Sequence, residues 1–209
     1  MHDSTTVAIF AKAPIPGFAK TRLIPILGAE GAAVMQAKLI THALEVARAA
    51  QLGPVSLWCT PNCDHPYFAS LIADGNLEIY QQSPGDLGVK MHHAFDVLCT
   101  QGPTLLMGTD CLVIEPRHLR QCADELRHGA DAAFMPVEDG GYILAGLRQP
   151  TPELFRDIPW NTDAVMQTTR NRAKDANLHI VEPATLWDID RPEDYTRAIR
   201  AGLLPANAS

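Results

Sequence analysis

The sequence predicts an α/β fold: a mainly parallel central sheet with helices on both faces. Three observations carry the prediction. Short β-branched and apolar runs alternate with longer helical patterns at the spacing of βαβ units. Glycine and proline mark the boundaries of these segments. Clusters of Lys, Arg or Asp follow directly on predicted strands, and open α/β sheets gather ligands at the carboxyl ends of strands. With 209 residues, 46% hydrophobic and 20% charged, the chain is long enough for one sizeable core, and one domain over 1–209 is expected.

Thr5 to Ala11 is apolar and β-branched and ends at a Pro/Gly loop, the pattern of a buried strand. From Ala29 to Gln51 the pattern is helical, with Leu39, Ala43, Val46 and Ala47 on one face and Gly53-Pro54 as the stop. Val55 to Cys59 is a second strand, Tyr67 to Ala73 a short helix and Leu77 to Tyr80 a third strand. Gly85 to Gly88 is a loop and Val89 to Thr100 a helix. Pro103 to Met107 is a fourth strand, running into Gly108-Thr109-Asp110. Pro116 to His128 is a helix with Pro in its first turn, and Ala130 to Val137 a further strand. The second half begins with a Gly140-Gly141 turn and a strand from Tyr142 to Leu147. A Pro-containing segment from Thr151 to Trp160 follows, then a helix from about Thr162 to Ala176. A late strand from Leu178 to Glu182, the Asp188-Ile189-Asp190 segment and a helix from Pro192 to Ala201 complete the order; the tail after Leu204 reads as loose.

Composition excludes several classes. The formal net charge of -7 and pI of about 5.5 argue against a nucleic-acid surface, which carries a basic stripe. No apolar run approaches the ~20 residues a membrane span needs. Met1 to Ser4 lacks the basic-then-apolar order of a signal peptide, so a cytoplasmic location is expected. Cys59, Cys63, Cys99, Cys111 and Cys122 are odd in number and form no CxxC, which predicts free thiols. His92 and His93 are neighbours on a helix and point apart, so a metal pair is not expected. Trp58 and Trp187 read as core; a homodimer is left open.

Three clusters carry chemistry. Lys12, Lys20 and Arg22 follow the first strand in a loop stiffened by Pro14 and Pro16, with Gly17 permitting close backbone approach. Arg offers a planar fork to phosphate oxygens and Lys a point charge. GxxxxGK[ST] is absent, so this is not a Walker A loop. Asp110 ends the fourth strand, where a carboxylate is expensive unless it is paired or metal-bound, although one such Asp also suits a turn. Asp188 and Asp190 lie two apart in an extended segment and face the same side. Asp190 could also cap the last helix, whose first-turn Glu193 and Asp194 suit the helix dipole. Carboxylates opposite a cationic loop suit Mg²⁺ (or Mn²⁺) bound with a nucleoside di- or triphosphate.

The segments "AIFAKAPIPGFAKTRLIPILG", "GDLGVKM.HAF", "LLMGTDC" and "VEDGGYILAGL" resemble the DUF2064 group of GT-A-fold, glycosyltransferase-like or nucleotide-diphospho-sugar transferase proteins, from about Val7 to Arg200. "DIDRPEDY" is similar to the "DxDTPEDL" of GT-A nucleotidyltransferases of the MobA-like and phospholactate guanylyltransferase types. The resemblance implies a Rossmann-like three-layer fold with a nucleotide-binding half, about 5–110, and an acceptor half, about 111–204. It places Lys20 and Arg22 in the phosphate-binding loop, beside the nucleotide-binding candidates Ala11, Lys12 and Gly17, and Gly85, Asp86 and Gly88 near base and ribose. It makes Asp110 and Asp190 the metal acids. Asp139, Gly140, Gly141, Tyr142 and Trp160 fall on the acceptor side. The sequence departs from the pattern at Val89-Lys90 and at Asn161, and the strict D-x-D of many glycosyltransferases is Thr-Asp-Cys here.

The foremost expectation is a Mg²⁺-dependent transferase that moves a nucleotidyl group from an NTP to a small phosphorylated or hydroxylated acceptor, releasing pyrophosphate. Lys20, Arg22 and Asp110 are its candidate catalytic residues, with Asp139 on the acceptor side. The alternatives are a glycosyltransferase using a nucleotide-diphospho-sugar, with Asp139 as acceptor base, and a non-catalytic nucleotide-binding module. The partners expected are a nucleotide or nucleotide sugar and a small acceptor.

Overall fold

A computed structural model describes residues 4–72 and 77–205. The expected N-terminus at Met1 to Asp3, the helix end at Ala73 and the last four residues of the tail lie outside the described residues. Seven strands form one sheet in the order β3-β2-β1-β4-β6-β5-β7. They are β1 (Thr6–Lys12), β2 (Val55–Thr60), β3 (Glu78–Gln81), β4 (Thr104–Met107), β5 (Ala132–Pro136), β6 (Tyr142–Leu147) and β7 (Ile180–Val181). All pairings are parallel except those of β6, which runs antiparallel to both β4 and β5. The helices are α1 (Ile24–Ala50), α2 (Pro66–Leu71), α3 (Leu87–Leu98), α4 (Pro116–Arg127), α5 (Val165–Asp175) and α6 (Pro192–Arg200).

The strand period of two sorts side chains to two cores. Val7, Ile9 and Ala11 of β1 pack with Ile40 and Ala43 of α1, Phe68 of α2, and Leu119 and Leu126 of α4. Ala8 packs on the opposite face with Phe95 of α3, Phe134 of β5 and Met166 of α5. Helices therefore cover both faces, in the three layers expected. Because both faces are covered, the central strands β4, β5 and β6 read as nearly continuous apolar runs.

Most elements agree with the sequence to within two residues. The helical path that starts at Ile24 is interrupted at Gly28 (φ 68°), so the regular part of α1 begins where the Ala-rich pattern does. Two expectations are corrected. α3 starts at Leu87, because the Asp86 carboxylate accepts from the Val89 amide at 2.9 Å and caps it there. The stretch Thr21–Ala50 is long and apolar enough to cross a membrane by length and composition. Its Leu39, Ile40, Ala43 and Ala47 are instead buried in the core of this fold.

A third, smaller core fixes the geometry of the site. Leu23, Met35 and Leu39 pack with Ile189 of the late acidic segment and with Tyr195 and Ala198 of α6. This cluster draws the chain's C-terminal part against the loop after β1.

Candidate active site

Strand order reverses between β1 and β4, since β2 and β3 lie on one side and β6, β5 and β7 on the other. A crevice opens at such a switch point. Here it is a cleft of about 940 Å³, lined by the loops after β1 and β4, the β5–β6 turn, the segment before α5 and the segment before α6. Lys12, Lys20, Arg22, Asp110, Asp139, Gly141, Tyr142, Trp160 and Asp190 all line it.

Lys20 is the centre of the basic end of the cleft. It sits in the left-handed region (φ 47°, ψ 44°), which a non-glycine residue enters at a cost of about 1–2 kcal/mol. Its side chain is only 4% exposed. The ammonium donates to the Ile189 carbonyl at 2.6 Å and pairs with Asp110 Oδ2 at 2.9 Å. Arg22 pairs with Asp190. Lys20 and Arg22 thus meet the two aspartates expected from sequence, and the Ile189 amide donates to the Asp110 carbonyl at 2.7 Å, joining the two acidic segments through backbone. Asp190 is not spent on capping α6. The Asp194 carboxylate does that, accepting from the amides of Asp190 (3.1 Å) and Arg191 (2.8 Å). Lys12 lies 3.9 Å over the Phe18 ring.

Asp188 also lines the cleft. Burial, reinforced by the Asp139 and Asp110 carboxylates and opposed by Lys20, pushes its carboxyl up to about 6. Three carboxylates therefore share one field. Among the described residues no three His, Cys, Asp or Glu side chains are arranged to enclose a metal by themselves. An all-oxygen set of one or two carboxylates still fits Mg²⁺ or Mn²⁺, whose shells phosphate oxygens and waters complete.

Asp139 Oδ1 accepts from the Gly141 amide at 2.9 Å, the turn-forming role, while its side chain stays exposed at the cleft. Gly140 has φ 90°, and a Cβ there would collide with the Asp163 carbonyl oxygen. Only glycine lets this turn approach the Trp160–Asp163 segment so closely. Tyr142 meets Trp160 edge-on, with centroids 6.3 Å apart.

The remaining sequence candidates lie elsewhere. Ala11 is buried in β1, and Gly17 (φ 77°) turns the loop. Gly88 is packed so that a Cβ would come within 2.6 Å of the Phe155 carbonyl. Neither these three nor Gly85, Asp86 and Gly140 are among the residues lining the cleft; Leu87 and Gln82 face it from the third-strand side.

Sequence reasoning missed Gln36, 3% exposed on α1. Its amide donates to the Lys12 carbonyl at 3.2 Å and to Thr109 Oγ1 at 3.4 Å, while Thr109 donates to Asp110 Oδ1 at 3.1 Å. A lone amide on an otherwise apolar helix face was the available signal. Also missed was Arg197, which holds both carboxylate oxygens of Glu138 (2.6 and 3.0 Å) and lies 4.3 Å over the Trp187 ring. Trp187 lines the cleft as well as packing on the third core, which corrects its assignment to core alone. Trp58 is core, 2% exposed and stacked on Tyr80. His92 pairs with Asp96 and His93 meets Trp58 edge-on, so the two rings diverge. All five thiols are free, and burial pushes Cys99 to about 11 and Cys111 and Cys122 to about 12.

Residues 43–162 match the family DUF2064, described as uncharacterized protein conserved in bacteria, and the chain belongs to that family. Among solved structures it is similar to a candidate nucleotide-diphospho-sugar transferase from Desulfovibrio desulfuricans, with 27% identity, a TM-score of 0.86, and coverage of 99% of this chain and 90% of that one. It shares its fold with a CMP:2-keto-3-deoxy-manno-octonic acid synthetase complexed with CTP (14% identity, TM-score 0.61, 96% and 100% covered). A Mycobacterium tuberculosis protein in complex with manganese also has this fold (16%, TM-score 0.56, 95% and 100% covered). No curated protein matches the chain.

Proposed function

We propose that this protein is a divalent-metal-dependent nucleotide (sugar) transferase that moves a nucleotidyl group from an NTP to a small acceptor with release of pyrophosphate. The observation that carries this is the double pairing Lys20–Asp110 and Arg22–Asp190 across one cleft. A polyphosphate entering there exchanges partners: its oxygens take the loop cations, and the freed carboxylates can take a metal. Asp110 and Asp190 would hold Mg²⁺ or Mn²⁺, which supplies charge stabilisation on the transferring phosphoryl oxygens. Lys20, Arg22 and Lys12 bind the leaving phosphates, and Gln36 fixes the two loops relative to one another. The likeness to a protein named for nucleotide-diphospho-sugar transfer favours a second reading, glycosyl transfer, in which the same groups stabilise a leaving nucleoside diphosphate.

The test is turnover with each NTP and common sugar nucleotides in Mg²⁺ or Mn²⁺, scored by leaving group. Pyrophosphate supports nucleotidyl transfer and nucleoside diphosphate supports glycosyl transfer. Asp110→Asn should lose on the order of 10² or more in rate. Full turnover by that variant removes Asp110 from the chemistry.

A further inference from the structure

We propose that the acceptor is a hydroxyl- or amine-bearing compound without phosphate, such as a sugar, polyol or amino alcohol. This deepens the transferase reading and rests on it.

The charges of the cleft are segregated. The loop after β1 brings Lys12, Lys20 and Arg22 to one end, and Arg191 directly follows Asp190, which Arg22 holds. The β5–β6 turn and the segment before α5, which meet at Gly140 and Asp163, form a wall that presents Glu138, Asp139 and Asp163 to the cleft, while Asp188 stands in the field of both Asp139 and Lys20. The cleft's remaining cation among the described residues, Arg197, is committed to both oxygens of Glu138 and to the Trp187 ring. Neither Lys nor Arg forms an ion pair with Asp139, Asp163 or Asp188 among the described residues.

A phosphate monoester carries roughly -1.5 to -2 charges near neutral pH. On this wall it meets carboxylates and no available fork, and like charges in a binding site select strongly against a ligand. Hydroxyl and ammonium groups instead donate hydrogen bonds to those carboxylates. Tyr142 and Trp160 add an apolar wall on which the C–H face of a sugar or polyol can lie. In the transfer itself, the acceptor oxygen or nitrogen forms a bond to the α-phosphorus. The bond from that phosphorus to the bridging oxygen breaks, its electron pair leaves on pyrophosphate, and the acceptor proton passes to a carboxylate of this wall and on to water.

The experiment presents the full chain, with its active donor and Mg²⁺, with matched acceptor pairs: glycerol and glycerol 3-phosphate, glucose and glucose 6-phosphate, ethanolamine and phosphoethanolamine. Acceptor-dependent leaving-group release is measured. The unphosphorylated members should be used with kcat/KM at least ~10-fold higher, a modest value because Asp139 and Asp163 are exposed to screening solvent. Asp163→Lys should shift the ratio toward the phosphorylated members. Equal or better use of the phosphorylated members by the unaltered chain overturns the acceptor inference and leaves the transferase standing. No acceptor-dependent release from any donor, with either set, overturns the transferase and the inference with it.

Discussion

Lys20 shows how much a single side chain can be asked to do. A left-handed backbone aims it inward, and it is nearly buried, a position a lysine holds only with full partnering. Truncation by Lys20→Ala leaves Asp110 without its cation and, on the proposed function, removes a phosphate contact. Donor kcat/KM should fall by ~10² or more, whereas Lys20→Arg should recover little, because a planar fork does not fit between one carbonyl and one carboxylate. Steady-state kinetics on both variants checks this. Asp188 offers a thermodynamic counterpart. Its carboxyl is raised to about 6 in the folded chain, above its unfolded value, so its favourable contribution is complete below the unfolded value and is lost as pH rises through about 6. Above that pH it is a half-buried charge beside other carboxylates. In metal-free buffer, Asp188→Asn should therefore raise stability at pH 8 by ~1–2 kcal/mol, discounted for partial solvent access, and change little at pH 4. Denaturant melts at the two pH values measure it, and equal effects at both would remove the electrostatic explanation.

At the scale of elements, the site depends on turns as much as on side chains. The β5–β6 turn is held down at two points: the Met166 amide donates to the Gly140 carbonyl at 2.8 Å, and Gly140 lies hard against Asp163. Gly140→Ala adds a methyl where the Asp163 carbonyl oxygen already is, at a φ that alanine disfavours. It should cost ~2–4 kcal/mol, or displace the Trp160–Asp163 segment and raise acceptor KM with donor KM retained. A thermal melt with two-substrate kinetics distinguishes it from a neutral change. This close approach was not legible in the sequence, where Gly140-Gly141 announces only a turn. The central strands β1, β4, β5 and β6 were legible because burial on both faces makes each a largely apolar run. The insertion of β6 between β4 and β5, antiparallel to both, was not, since strand order depends on long-range pairing and leaves no local period. Lys20, Arg22, Asp110 and Asp190 stood out as charges beside apolar strands. Gln36 and Arg197 did not, because their significance lies in partners distant in sequence.

The whole molecule joins three segments that the chain keeps far apart. Arg22 and Asp190 are 168 residues apart, and Lys20 and Ile189 169 apart, yet each pair is in contact. The third core, through Leu23 and Ile189, makes that possible by packing α6 beside the first part of α1. A ligand that replaces these contacts with phosphate and metal contacts must therefore act on all three segments together. Saturating donor with Mg²⁺ should raise global stability by ~2–4 kcal/mol at 100- to 1,000-fold excess over Kd, and chelation should reverse most of it. Under the same conditions amide exchange should slow in concert at 12–23, 108–111 and 187–191, with elements behind the sheet little changed. Protection confined to 12–23 would mean that the basic loop binds phosphate by itself, and the two aspartates would then have no part in holding the donor.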